Sequence, residues 1–180
     1  VSRSLWIKAH LLAAAFFSPA LIIMAISGGL YLIGTKGSVQ QTPVQATPDM
    51  TLDVTSPQLE QDVRNLLSGI DADFEFEYLK ISGNTLTTRP TSRDYYTINA
   101  GTDALTITHN TPDLVKHLVE LHKGHGPLLY KDFQKVMAIA LLFVLLSGAW
   151  LGLSAAGLRS MTAVTMFSGL AVTLLLATFA

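Results

Sequence analysis

The sequence predicts a membrane protein with three transmembrane α-helices. A small α+β domain, ordered helix–antiparallel strands–helix, is inserted between the first and second of them. Two look-alike apolar segments carry this prediction: Trp6 to Gly34 (WIKAHLLAAAFFSPALIIMAISGGLYLIG) and Phe133 to Gly157 (FQKVMAIALLFVLLSGAWLGLSAAG). Each is long enough to cross a bilayer and has almost no charge in its interior. A third uncharged segment runs from Met161 to Ala180, and its roughly 20 residues reach the minimum for a span. The acids supply the other observation, because all of them lie from Asp49 to Asp132. Only 14% of the chain is charged, against about 25% in a soluble domain, so a small water-soluble insert is bracketed by membrane helices.

The first helix is assigned to residues 5–34. Its apolar stretch, from about Leu11 to Ile33, exceeds the usual core of a signal peptide, so it reads as a retained helix. Pro19 is expected to bend it. Residues 35–56 are rich in Gln, Thr, Pro, Val and Gly without helical periodicity and read as a linker. The insert proper is assigned to residues 57–127. Ser56-Pro57 predicts a helix start, with Leu59, Val63, Leu66 and Leu67 on one face and Gly69 as the stop. Phe74, Phe76 and Tyr78 alternate with Glu75, Glu77 and Leu79, which predicts a strand with an apolar face and a solvated acidic one. Ser82-Gly83-Asn84 is a turn, and residues 84–89 return as the partner strand. Residues 95–99 and 105–108 flank a hairpin turn at Ala100-Gly101-Thr102-Asp103. Thr111-Pro112-Asp113 opens a last helix with Leu114, Leu118 and Leu121 on one face. Arg89 and Arg93 read as surface residues. The second and third spans are assigned to 133–157 and 161–180.

Arg3, Lys8 and Arg159 lie in short segments on one side of the predicted membrane with no opposing acid. The positive-inside rule makes that side cytoplasmic and places the insert outside. A net charge of −1 gives no electrostatic case for a nucleic-acid partner. Cysteine is absent, which excludes disulfides, thiolate metal sites and a Cys nucleophile. No G-x-S-x-G, H-E-x-x-H, P-loop or G-x-G-x-x-G motif occurs.

The chain resembles the PepSY-associated transmembrane proteins at three places. These are His10 near the start of the first span, the stretch Leu121-His122-Lys123-Gly124-His125-Gly126, and Leu145-Leu146-Ser147-Gly148-Ala149-Trp150-Leu151. Together they cover most of residues 5–155. The resemblance implies a bacterial inner-membrane, multi-pass protein with its soluble domain in the periplasm. Some larger relatives are ferric-siderophore reductases that carry haem between their helices, so the resemblance also implies an accessory role in iron- or haem-linked redox processes. The soluble module takes its name from a proposed peptidase-inhibiting role. That leaves an alternative: a non-catalytic interaction or assembly module whose domain binds a protein or peptide, for instance by strand addition. The third span lacks the additional histidines of the reductase-like proteins. The expected partners are membrane lipid and a second copy or another membrane protein.

Histidine is the only soft ligand type present apart from Met. Of the five histidines, His10, His122 and His125 are the candidate ligands for haem b iron. His109 is expected to end a strand, and His117 lies on the last helix of the insert. His122 and His125 share a face if that helix persists, yet two histidines on one face do not sandwich a single porphyrin. A span of roughly 30 Å separates His10 from His122. Each site therefore requires a second ligand from another helix or copy. The plainer reading makes His10 an interfacial residue beside Trp6 and leaves His117 and His122 solvated. The Ser-Gly pairs at Ser27-Gly28 and Ser147-Gly148 read first as close helix packing, and alternatively as room for a porphyrin face.

Overall fold

A computed structural model describes residues 2–45, 52–101 and 105–179. Among them run α1 (Arg3–Leu32), β1 (Val39–Val44), α2 (Leu59–Ser68), β2 (Tyr78–Ser82), β3 (Thr85–Arg89), β4 (Tyr95–Ala100), β5 (Leu105–Pro112), α3 (Leu114–His122), α4 (Leu128–Ser154) and α5 (Arg159–Phe179). Helices α1, α4 and α5 are each long and apolar enough to cross a membrane. They keep large apolar side chains on the outside, among them Leu12 and Phe16, Leu146 and Trp150, and Phe167 and Leu176. A helix that is apolar all round needs an apolar surrounding. α1 continues through Pro19. Proline has no N–H to donate to the carbonyl four residues back, and Ser18 Oγ donates to that carbonyl, Ala15 O, at 3.1 Å.

The chain divides into two compact units, Val1–Leu21 with Lys135–Ala180 and Ile22–Gln134. In the first, Trp6 of α1 stacks on Phe143 of α4 with ring centroids 6.1 Å apart. The tight connection from α4 to α5 is closed by Arg159 Nε, which donates to Leu153 O at 2.9 Å. Gly152 lets the two helices meet, since a Cβ there would lie 2.7 Å from Thr162 Oγ1.

The second unit is built on an antiparallel sheet of order β1-β5-β4-β3-β2. Leu86, Ile98 and Ile107 stand in one cross-strand row, and all three are buried. Leu59, Val63, Leu66 and Leu67 of α2 complete the core with Phe76 and Tyr96. The apolar face predicted for α2 and its stop at Gly69 both hold. The helix begins at Leu59, because Ser56 Oγ accepts from Gln58 N at 3.1 Å and so shapes a turn over Pro57 ahead of it.

Four expectations need correction. The stretch read as a linker contains β1, whose residues Val39 to Val44 pair with Pro112 to Ile107. It lacks alternation because it is an edge strand, and an edge is where Pro43 is tolerated. The predicted strand at Phe74 starts instead at Tyr78, and Phe74 and Phe76 pack on the core from the segment before it. β5 runs on to Pro112, so His109 lies inside it rather than at its end. On α3, Leu114 is 72% exposed and the buried residues are Val119 and Glu120. The β2–β3 hairpin turns at Gly83-Asn84 as expected, with Gly83 at φ +57° in the first position of the turn, where a primed turn needs it. The turn expected at Ala100–Asp103 lies partly outside the described residues.

Asp113 anchors the start of α3. Its carboxylate accepts from Lys116 N at 2.7 Å and from Ser38 N and Oγ at 2.8 and 2.7 Å. Those backbone and hydroxyl bonds, the one from Lys116 N first, hold its pKa below the ordinary value. Gly37 sits against this cap at φ +69°, and a Cβ there would lie 2.2 Å from Lys116 N. Gly37→Ala is therefore expected to cost about 2–4 kcal/mol by combining backbone strain with a backbone clash. Thermal unfolding of the full chain in detergent reads the effect, and an unchanged midpoint would contradict it.

Candidate functional site

Two of the histidines sit beside serines of the long helices. In the first unit, Ser147 of α4 is 4% exposed. Its Oγ donates to Phe143 O at 2.6 Å, as hydroxyls inside helices often do, and approaches Val144 O at 3.2 Å. With its proton so committed, Ser147 Oγ is an acceptor for His10 Nδ1 at 2.8 Å. Gly148 makes room for the ring, because a Cβ there would lie 3.2 Å from His10 Cε1. Ser147 also lines an open groove of about 450 Å³ with Trp6, Phe143, Leu146 and Trp150, within the size range of small-molecule sites.

The second unit repeats the arrangement with other residues. Ser27 is fully buried, and its Oγ donates to Met24 O at 3.1 Å. His122 Nδ1 lies 3.0 Å from Met24 O and 3.3 Å from Ser27 Oγ. A carbonyl only accepts, so Nδ1 carries the proton. A Cβ on Gly28 would lie 2.8 Å from His122 Cε1. In both places a Ser-Gly pair seats an imidazole: the serine turn fixes Nδ1 and the glycine clears the ring. When neutral, each ring is the Nδ1–H tautomer with its lone pair on Nε2. An imidazole that binds a metal through Nε2 needs that tautomer, with an oxygen behind it to fix the ring.

His122 and His125 do not form a pair. α3 ends at His122, and Gly124 turns the chain at φ +73°. His125 Nδ1 meets Glu120 Oε2 at 2.6 Å. Glu120 is 4% exposed. Its other contacts are Thr91 Oγ1 at 2.8 Å, Lys116 Nζ at 2.9 Å and Lys123 Nζ at 3.1 Å. Arg89, expected at the surface, is 6% exposed and donates from Nη1 to Thr91 Oγ1 at 2.9 Å. Leu86 packs in the core with α2, and the strand's alternation turns Arg89 to the opposite face, where Thr91 links it to Glu120. Burial pushes the Glu120 carboxyl up, but bonds from Lys116, His125, Thr91 and Lys123 outweigh it and hold the pKa at about 2. Burial lowers the pKa of His125, against the opposing pull of Glu120.

His117 Nδ1 donates to Ser92 O rather than to solvent. The His109 ring packs at a tilt of 37° against Tyr96 with centroids 4.9 Å apart, and it approaches Asp94 Oδ2 at 3.3 Å. Glu75 is exposed as predicted, whereas Glu77 Oε2 accepts from Leu128 N at 2.7 Å and caps α4. Asp71, Asp73, Glu75 and Asp94 line a cleft of about 490 Å³ with Phe74 and Arg93. Among the described residues no group of three or more His, Asp or Glu side chains is placed to hold a metal ion.

Sequence reasoning missed Ser27, Ser147, Glu120 and Arg89 as partners of the site. The recurring Ser-Gly dipeptide was the available signal for the two serines. The Lys116/Glu120/Lys123 spacing, with neighbours at i−4 and i+3, was the signal for the carboxylate. No family model matches the chain, and no curated protein or solved structure matches it.

Proposed function

We propose that this chain is a multi-pass protein of the bacterial inner membrane with its α+β domain in the periplasm. Its role in this reading is that of an accessory in iron- or haem-linked redox processes, like the reductase-like PepSY-associated proteins. The observation that carries the reading is the pair of Ser-Gly seats. His10 and His122 are each held through Nδ1, and each is left with an Nε2 lone pair. That donor set fits haem b, which when bound would supply one-electron exchange at its iron. His10 and His122 would hold it, while Ser147 and the Met24 carbonyl fix the two rings. Each seat offers one imidazole, so any second protein ligand would come from another copy or a partner protein. His125 belongs to the Glu120 network in this reading.

Haem per chain, measured as the pyridine haemochrome of detergent-purified protein, tests the proposal. His10→Ala and His122→Ala should each lower the stoichiometry, and His125→Ala should leave it unchanged. Equal haem in all three variants would sink the assignment.

A second reading, a non-catalytic module binding a protein or peptide, is favoured by the free edge of β2. That strand pairs only with β3 among the described residues and leaves Ile81 51% exposed. An unpaired edge with an apolar side chain suits strand addition.

A further inference from the structure

The Glu120 network holds more positive than negative charge. Arg89, Lys116 and Lys123 converge on it, and Glu120 is the only carboxylate bonded to them among the described residues. Glu120 has no acceptor capacity to spare. Oε1 takes both lysines, and Oε2 takes Thr91 and His125, which fills the four lone-pair sites of a carboxylate. Arg89 is thereby reduced to a neutral hydroxyl as its side-chain partner, and its buried Nε has no partner at all. A buried guanidinium is stable only when paired and hydrogen-bonded. The lysine and histidine rim is open, with side chains 23%, 39% and 30% exposed for Lys116, Lys123 and His125.

We infer that this cluster is a binding site for a phosphate group, held by Arg89, Lys116 and Lys123 with His125 at its rim. A carboxylate offers one negative charge and two oxygens. A phosphate offers up to about two charges and three acceptor oxygens, which matches the excess of two cations and the empty donor of Arg89. The guanidinium fork suits that geometry, and lysine is a common phosphate binder as a point charge. The site lies just before α4, and Thr91 N is tied to His125 O at 3.1 Å. Free phosphate carries that charge, and where α4 enters a bilayer the phosphomonoester headgroup of phosphatidic acid offers the same chemistry.

The test uses the full chain in nanodiscs of phosphatidylcholine and follows thermal unfolding. Inorganic phosphate is titrated against chloride at constant ionic strength. In a second arm, phosphatidic acid replaces part of the lipid, whose own phosphodiester carries a single charge. A saturable rise of several degrees with inorganic phosphate supports the site with a soluble ligand. A rise with phosphatidic acid alone supports it with a headgroup. In either case Lys123→Gln, at a partly exposed position that leaves the core intact, should weaken the response about tenfold. Arg89→Lys should weaken it too, since it keeps the charge and loses the fork. A wild-type protein that responds to neither arm would overturn the site, and so would a Lys123→Gln variant that responds like wild type. Neither result bears on haem.

Discussion

Glu120→Gln is expected to destabilise the α+β unit by about 2–3 kcal/mol at pH 7. The carboxylate offsets Lys116 and Lys123 while also accepting from Thr91 and His125. Removing one partner of a buried charge pair costs more than the pair contributes, because the remaining charges stay desolvated. The lysine side chains are partly exposed and regain some water, which keeps the loss below the 3–5 kcal/mol of a fully buried pair. The pH dependence has a definite sign. The Glu120 pKa falls from 4.5 to about 2 on folding. Its contribution is therefore complete above pH 4.5 and is lost as pH falls from there toward 2. His125 acts in the same direction at higher pH. Its folded pKa lies below 6.5, so below that value the unfolded chain takes up the proton more readily. Native-state hydrogen exchange of the Leu86 and Ile98 amides measures both effects. The variant should exchange roughly a hundredfold faster at pH 7, and its stability should change little between pH 4.5 and 2. A wild-type stability that is flat over that window would remove Glu120 from the account.

The second large effect separates the two imidazole seats. His10 Nδ1 has a serine oxygen as its acceptor at 2.8 Å. His122 Nδ1 is nearer the Met24 carbonyl, at 3.0 Å, than Ser27 Oγ, at 3.3 Å. Ser147→Ala therefore deletes the partner that fixes its histidine, while Ser27→Ala leaves the main one in place. Loss of such a supporting bond typically lowers metal affinity 10- to 100-fold. Haem titration of the apo-protein should show that loss for Ser147→Ala and a change of only about twofold for Ser27→Ala. Equal effects would mean that the two serines hold their rings in the same way, contrary to the geometry.

The three long helices are legible in the sequence because continuous apolarity over a span does not depend on tertiary partners. The α2 face and the β2–β3 turn are legible for a similar reason: Leu59, Val63, Leu66 and Leu67 repeat at helical spacing, and Gly83 supplies the backbone the turn needs. β1 is not legible, since Gln40, Gln41, Thr42 and Pro43 carry no alternation and become a strand through their pairing with β5. Arg89 is hidden as well. A basic residue ending a polar strand looks solvated until Glu120 and Thr91 enclose it. His10 and His122 are visible as histidines, but their serine partners lie 137 and 95 residues away in sequence, and no local pattern connects Ser147 to His10. The split of His122 from His125 depends on Gly124, whose positive φ ends the helix between them.

The central claim is that His10 and His122 are seated to present Nε2 to haem iron. The most direct test is the visible spectrum of detergent-purified full-length protein, from cells with ample haem, before and after dithionite. A Soret band with reduced-minus-oxidised b-type peaks, diminished in His10→Ala and in His122→Ala, is the result expected. A colourless protein would contradict it, and the two Ser-Gly seats would then be polar ties whose imidazoles hold the chain together without a cofactor.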